Sequence, residues 1–535
     1  LSVQPGGGAP FDPLGFELTG EHFEAIATDA FYRRILGDTL LLAACVTMTC
    51  VVLGLPVALW IAGLPGRLRT IGLAIVLVPL LTNVVVRSLG VMLLLAPGGL
   101  VARAIGLFGI SPPNLLFGWF AVGLALTQVF LPFLVMALYD GLVSRDQRLD
   151  EAASGLGAAP ARRFFSVTLP LAVPGLASGV TLVFLLASTA YVSATLLGGR
   201  KVTVSGMLVF QEAMSLLNYP FAAALALVML AASVLATLAV HRAAGRLSGW
   251  RSFRAPWPGF RLGRVGWAVL NAIGPSVGRV LLGIGLGLLL FPMLLVVVAS
   301  VNDVPQASVA SWHGFTWRWY GAVLTNERYR DALVVSTELA LAAVLIGFGL
   351  TLPAAWALER RRVPLAGLVA TIFMLPLALP GIAKAVGWLK LLQWYTVVPP
   401  FIGLLAVHVV LIAPFMLVVL RAGIAGLDRT LEQAASGLGA QPGRVMRSVV
   451  LPQLAGAVAS AGILGFLISF GEVTVTAFLA NARLQTLPVR IYAEATFSLE
   501  NTVNAVSTLI IFGTVGAIAL LGRFAGLDQA WRGRG

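Results

Sequence analysis

Three stretches, Thr39 to Ala62, Phe221 to Val240 and Val280 to Val301, each run for 20 residues or more without a charged side chain. A helix needs roughly 20 apolar residues to cross the hydrocarbon of a bilayer. In lipid every backbone amide must be paired within the protein, so only helices and closed barrels can span it. Barrel strands alternate apolar and polar residues, and these runs are continuous. The rest of the chain agrees: 11% of the 535 residues are charged and the mean hydropathy is +0.94, against about 25% charged in soluble domains. The 58 Gly and 29 Pro are no objection, since both are commoner in membrane helices than in soluble ones. The fold class expected is all-α, a polytopic membrane protein.

Hydropathy predicts about 11 spans, near 38–63, 71–95, 115–139, 171–197, 221–241, 280–301, 332–358, 366–391, 400–420, 453–480 and 503–522. Basic residues accumulate in cytoplasmic loops, and here they fall on one side. The loops at 64–70, 140–165, 242–279, 359–362 and 421–447, with the C-terminal tail, hold 23 of the 36 Lys and Arg and 8 of the 22 acids. That side is predicted to be cytoplasmic, in a bacterial inner membrane, with the C-terminus inside. No cleavable signal peptide is read in the opening residues, which are polar and rich in Gly, Pro and acids.

The octet EAASGLGA at 151–158 returns 282 positions later as QAASGLGA at 433–440. Over the 20 residues from Glu151 to Pro170 and from Gln433 to Pro452, 13 are identical. Pro56, Pro79, Arg87 and Gly90 likewise correspond to Pro353, Pro376, Lys384 and Gly387. Six predicted spans separate the octets, an even number, so the repeat is parallel rather than inverted. The domains expected are an outer N-terminal segment (1–37), a first unit (38–245) with a loop near 140–170, a basic linker (246–279), and a second unit (280–535) with a loop near 421–452. The linker interleaves Arg with Trp and Phe. A nucleic-acid surface could read that way, but a connector whose aromatics and Arg meet lipid headgroups is the reading adopted. The second copy is led by the 280–301 span and the first has no such helix, so either the first copy lacks it or it lies upstream of Leu1.

Each octet sits in a loop, with acids and Ala-Ala favouring a helical turn and Gly-x-Gly ending it. A basic segment follows, then Leu-Pro opens the next span. At these residues the chain resembles the inner-membrane permeases of binding-protein-dependent ABC importers, whose cytoplasmic loop reads E-A-A-x-x-x-G with L-P downstream. The resemblance covers essentially the whole chain and implies a type I importer permease fold. It implies that the loops dock on a separate ATPase, through Glu151, Ala152, Ala153, Gly155 and Gly157 in one copy. In the other, Glu432, Gln433, Ala434, Ala435, Gly437 and Gly439 take that part. Gln433 stands where Glu is usual, which leaves open whether Glu432 takes over its role. The partners implied are two copies of an ABC ATPase, which would hold ATP and Mg, and a periplasmic or lipid-anchored solute-binding protein. The chain has three Lys (Lys201, Lys384, Lys390), none in a G-x-x-x-x-G-K-[ST] loop, so no cofactor and no catalytic residue is expected in it.

For the solute, AYVSATLLGG (190–199), YPFAAALALVML (219–230), LPVRIY (487–492) and STLII (507–511) are similar to the polyamine (spermidine/putrescine) branch. SFGEVTVTAFL (469–479) is similar to a pattern shared with iron, thiamine and phosphonate permeases. Polar residues at membrane depth are costly and usually face a cavity. The path candidates are therefore Glu472, Thr474 and Thr476 in the second copy and Ser188, Thr189, Tyr191 and Ser193 in the first. The alternative for the hydroxyls is helix packing, and for Glu472 a buried gate or interhelical bond. Arg87 and Lys384 either snorkel to the interface or face the path, where they would oppose a polycation. Cys45 and Cys50 suggest neither a disulfide nor a metal site, and the four His are scattered. The rival classes are a secondary transporter, which would need no matched cytoplasmic loops, and a channel.

Overall fold

The computed structural model describes residues 20–143, 148–199, 201–248, 264–309, 311–360, 366–379, 381–394, 398–481, 484–497 and 500–524. The Arg/Trp/Phe part of the linker, the C-terminal tail and most of the segment before residue 38 lie outside them. Among the described residues the structure is helical apart from turns and two isolated bridges, Asn302 with Phe315 and Gln306 with Glu500. Ten helices are long and apolar enough to cross a membrane, or 11 if one bent pair counts as a span.

Most helices run past the expected spans at one end or both, and four of the expected spans are interrupted. The first runs Ala30–Gly63 because Asp29 caps it, its carboxylate accepting from the Phe31 amide at 2.7 Å. The stretch expected as one span at 71–95 is instead Gly66–Leu81 and Val84–Leu95, broken at Thr82 and Asn83. Its repeat, expected at 366–391, is the bent pair Ala366–Leu377 and Gly381–Leu392, at 98°. In both copies Pro79 or Pro376 lies just before the break and removes an amide donor there. The expected span 171–197 ends at Ser188, and that at 453–480 ends at Phe470; short helices Val192–Gly198 and Thr476–Leu479 follow. The helix expected at 280–301 starts at Arg264, so the linker's last part is helical.

The chain folds as two compact units. The first comprises Leu1–Leu80, Val84–Thr316 and Leu499–Asn504; the second comprises Leu81–Asn83, Trp317–Ser498 and Ala505–Gly535. The Arg264–Ser300 helix, which leads the second copy in sequence, thus packs in the first unit, against Ala30–Gly63 and Val84–Leu95. Gly285 and Gly90 bring the backbones close: a Cβ on Gly285 would meet the Leu53 carbonyl oxygen at 3.2 Å. Small residues at such seams are how membrane helices gain dispersion contacts without a hydrophobic driving force. Asn501 finishes the unit, its amide donating to the carbonyls of Ala299 (2.8 Å) and Asn302 (2.9 Å).

The second unit packs Glu327–Arg360, Pro400–Ala425 and Leu451–Phe470 around a core of Ala343, Val344, Ile412, Met416, Leu420 and Leu454. The first unit builds the same triad from Ala30–Gly63, Trp119–Val143 and Leu169–Ser188. One contact is repeated in kind. Thr39 Oγ1 accepts from the Ser205 amide at 2.9 Å, and Ser336 Oγ accepts from the Leu487 amide at 2.7 Å.

Candidate coupling helices and solute path

Each octet forms a short exposed helix, Arg148–Gly155 and Arg429–Gly437. The second starts at Asp428, whose carboxylate accepts from the Thr430 amide at 2.9 Å; that bond holds the Asp428 carboxyl below its ordinary range. Both helices end in the same turn. Ala158 N donates to Ala153 O at 3.1 Å and Gly157 N to Ser154 O at 2.9 Å. In the second copy Ala440 N donates to Ala435 O at 3.1 Å and Gly439 N to Ser436 O at 3.0 Å. These paired bonds are a Schellman stop, which needs a left-handed residue just past the helix. Gly157 (φ 77°) and Gly439 (φ 83°) supply it.

Gly155 and Gly437 have open space around them and close the helices themselves. Glu151, Ala152, Gln433 and Ala434 are exposed, with Ala153 and Ala435 half-buried. Glu432 is pulled inward and pairs with Arg360. The residue sequence reasoning missed is the leucine between the two glycines. Leu156 and Leu438 are each 89% exposed, the most exposed large apolar side chains among the described residues. The signal was present, since both copies of the octet carry that leucine.

Past the turn, both copies re-enter through a single π-helical turn, Phe164–Thr168 and Met446–Val450, before Leu169 and Leu451. Such turns are rare and concentrate at functional places. Here they form an elbow between each octet and the helix that follows it.

In the second unit the path candidates gather around the break after Phe470. Glu472 is half-buried, and its Oε1 accepts from the Val475 amide at 2.7 Å, capping the turn into Thr476–Leu479. Lys384 Nζ donates to the Pro376 carbonyl at 2.8 Å, and its charge and that of Glu472 act on each other. Thr474 abuts the start of the second helix of the bent pair, where a Cβ on Gly381 would meet its methyl at 3.1 Å. Thr476 is buried, its hydroxyl 3.1 Å from His408 Nε2; Ser469 Oγ lies 2.8 Å from Nδ1. Asn83 donates to the Gly471 carbonyl at 2.6 Å. Sequence reasoning missed His408 and Asn83; the signal for His408 was a lone polar ring inside an apolar run.

The first unit's candidates are packed. Ser188 is fully buried, 2.8 Å from Ser233 Oγ, and donates to Leu185 O at 3.0 Å. Thr189 bonds back to the carbonyls of Leu185 and Leu186. Tyr191 stacks on Phe210 with centroids 5.3 Å apart, and Ser193 accepts from Ser88 at 2.9 Å. Arg87 does not snorkel: it is 5% exposed and donates to the Val129 carbonyl at 3.0 Å. Beside Val129, Gln128 is fully buried with neither amide atom hydrogen-bonded.

The family described as binding-protein-dependent transport system inner membrane component matches twice, at residues 54–249 and 337–532. The spermidine/putrescine transport system permease protein PotB of Escherichia coli (strain K12) is 32% identical over 222 residues, 41% of this chain and 81% of that one. PotB of Salmonella typhimurium (strain SL1344) is 33% identical over 198 residues, 37% of this chain and 69% of that one. The putrescine transport system permease protein PotI of Escherichia coli (strain K12) is 28% identical over 259 residues, 45% and 88%. A solved structure of a bacterial ABC transporter that imports the acidic polysaccharide alginate aligns with TM-score 0.37 and 17% identity, over 49% of this chain and 98% of that one.

Proposed function

Because the chain belongs to the family of binding-protein-dependent transport system inner membrane components, present twice in one polypeptide, we propose that it forms the whole membrane pathway of an ATP-driven importer. The observation that carries the reading is the duplicated octet. Two helices of the same build, each offering a bare leucine beside a glycine stop, give two footholds for two copies of one ATPase subunit. Both footholds face the cytoplasm, where the basic loops are. A solute-binding protein delivers cargo on the opposite side, and ATP binding closes the ATPase pair, moves the octets together and opens the path outward.

The solute is a small polyamine-like cation. The named relatives support this, and so does the charge at the second unit's break. Lys384 does not leave a bare positive charge there, since Glu472 acts on it and it donates to the Pro376 carbonyl. Broken helices expose backbone dipoles where a substrate can use them, and Glu472 adds a carboxylate. Ferric iron, thiamine and aminoethylphosphonate are the alternatives carried by the SFGEVTVTAFL segment.

The test is uptake into vesicles holding the chain, its ATPase and its binding protein. ATP-dependent accumulation of labelled putrescine or spermidine, undiminished by excess thiamine, ferric ion or aminoethylphosphonate, is expected. Uptake driven by an ion gradient without the ATPase would refute the importer, and competition by one of the other three would refute the polyamine.

A further inference from the structure

The two octets are alike, but what holds them is not. Arg360, the last described residue of the Glu327–Arg360 helix, puts Nη2 2.9 Å from Glu432 Oε1 in the second coupling helix. The pair is largely shielded, with side chains 9% and 22% exposed. The same Nη2 donates to the Leu427 carbonyl at 3.1 Å, just ahead of that helix. Glu359, beside it, binds Arg421 Nε at 2.7 Å, and its carbonyl accepts from Arg429 at 3.2 Å. The foot of one membrane helix thus grips the end of a second and the whole start of the coupling helix.

The first copy keeps an acid in the coupling helix, Asp150 at the register of Glu432, but not the charged residues that hold it. By the repeat register, Ala62 and Gly63 stand for Glu359 and Arg360, Tyr139 stands for Arg421, and Gln147 stands for Arg429. None carries a charge. Surface ion pairs are worth little, but removing one partner of a shielded pair leaves the other charge without compensation and costs far more.

We propose that Arg360 and Glu432 are positioning residues, a latch that makes the second coupling helix one rigid lever with the Glu327–Arg360 helix. In the first copy the segment after the coupling helix is held differently, by the Arg264–Ser300 helix: Asn271 Oδ1 accepts from the Ala161 amide at 2.9 Å and Trp267 meets the Phe165 ring. Glu432 is therefore spent inside the chain and does not stand in for the missing Glu at Gln433, so the ATPase meets a carboxylate at Glu151 and an amide at Gln433. Force enters the two units by unequal routes, the second through a fixed side-chain link. This rests on the coupling role proposed above.

The test uses the full chain reconstituted with its ATPase and binding protein, and reads solute taken up per ATP hydrolysed together with ATPase retained on purification. Arg360→Glu and Glu432→Arg should each lower uptake per ATP roughly tenfold, inside the 5–150-fold span usual for coupling between sites, with the ATPase still bound. Exchanging both charges at once should bring the ratio back to within about threefold of wild type, the signature of a direct pair. Arg360→Gln and Glu432→Gln, which create no like-charge clash, should show the same defect at about three- to fivefold. Singles equal to wild type, an exchanged pair no better than the singles, or loss of the ATPase that the exchange does not mend would each overturn the latch. Wild-type protein that hydrolyses ATP without uptake would instead refute the functional reading, and the latch with it.

Discussion

Gly90 and Gly387 hold the same position in the two copies, yet alanine should be tolerated at only one of them. A Cβ on Gly90 would stand 2.2 Å from the carbonyl oxygen of Pro292, 2.5 Å from its carbon and 2.8 Å from its Cβ. An ordinary carbon–oxygen contact needs about 3.3 Å, so the two helices would have to part by roughly 1 Å. The obstacle is backbone, and no rotamer change relieves it. Overpacking of this kind costs about 1–3 kcal/mol, against a gain of about 0.8–1 kcal/mol from replacing Gly in a helix. Gly387 has nothing within 4 Å of its Cβ and keeps the gain alone. Gly90→Ala should therefore lie about 1–3 kcal/mol below Gly387→Ala in the stability of the seam. Cys50 reports on it locally, being fully buried on a helix that packs against the same neighbour, whereas Cys45 is exposed. In a Cys45→Ser background, thiol labelling of Cys50 should be about 5–150-fold faster for Gly90→Ala than for Gly387→Ala. Equal labelling rates would show that the seam does not close as described.

At the octets, Gly157→Val and Gly439→Val place a branched residue at positive φ and should cost about 1–2 kcal/mol each at the turn, seen as lost ATP-coupled uptake with normal membrane insertion. Gly155→Ala and Gly437→Ala, with open space and helical backbone, should be the milder pair in the same assay. Leu156→Asp and Leu438→Asp alter side chains that touch little, so stability should hold within about 0.5 kcal/mol while the ATPase no longer copurifies. Glu212, on the Ser205–Met214 helix outside the spanning set, has its carboxyl raised above the ordinary 4.5 by burial. Being raised, it burdens the fold once ionised, so stability is lost as pH climbs from 4.5 through the raised value. Glu212→Gln should then stabilise the protein at neutral pH and change nothing well below 4.5, as thermal unfolding across pH would record.

Why the sequence exposed some of this and hid the rest follows from what a one-dimensional pattern can hold. Spans such as Pro400–Ala425 show in hydropathy because one face meets the apolar core and the rest meets lipid, so no face is polar. The breaks at Thr82–Asn83 and after Phe470 do not, since a window of about 19 residues averages over a two-residue interruption. They became visible only as partners, with Asn83 binding the Gly471 carbonyl and Glu472 capping its own turn. Likewise Gly155 and Gly157 read alike in sequence, while only the backbone angle separates the helix end from the left-handed stop. The sequence leaves Arg87 open between the interface and the path; its carbonyl partner lies 42 residues on, which no local pattern records.

The copies themselves show where a fused chain is free to diverge. What both keep is backbone geometry: the Schellman turn, the π elbow, and the hydroxyl of Thr39 or Ser336 receiving an amide. What differs is charge. Glu212 and its register partner Glu494 sit beside repeat-related tyrosines, Tyr32 and Tyr329, but Glu494 alone has an arginine, Arg490, whose counterpart is Leu208. The same holds at the other end, where Arg360 answers Glu432 and Gly63 answers nothing. Two identical chains would be forced to share every such pair, since one gene would write both halves. A single chain carrying two units can hold one of them with ion pairs at both ends and the other with neutral contacts such as that of Asn271 with the Ala161 amide. Transport variants should therefore sort by unit: charge changes at Arg490, Glu494, Arg360 and Glu432 should act through the second unit, and turn changes at Gly157 should weigh most on the first.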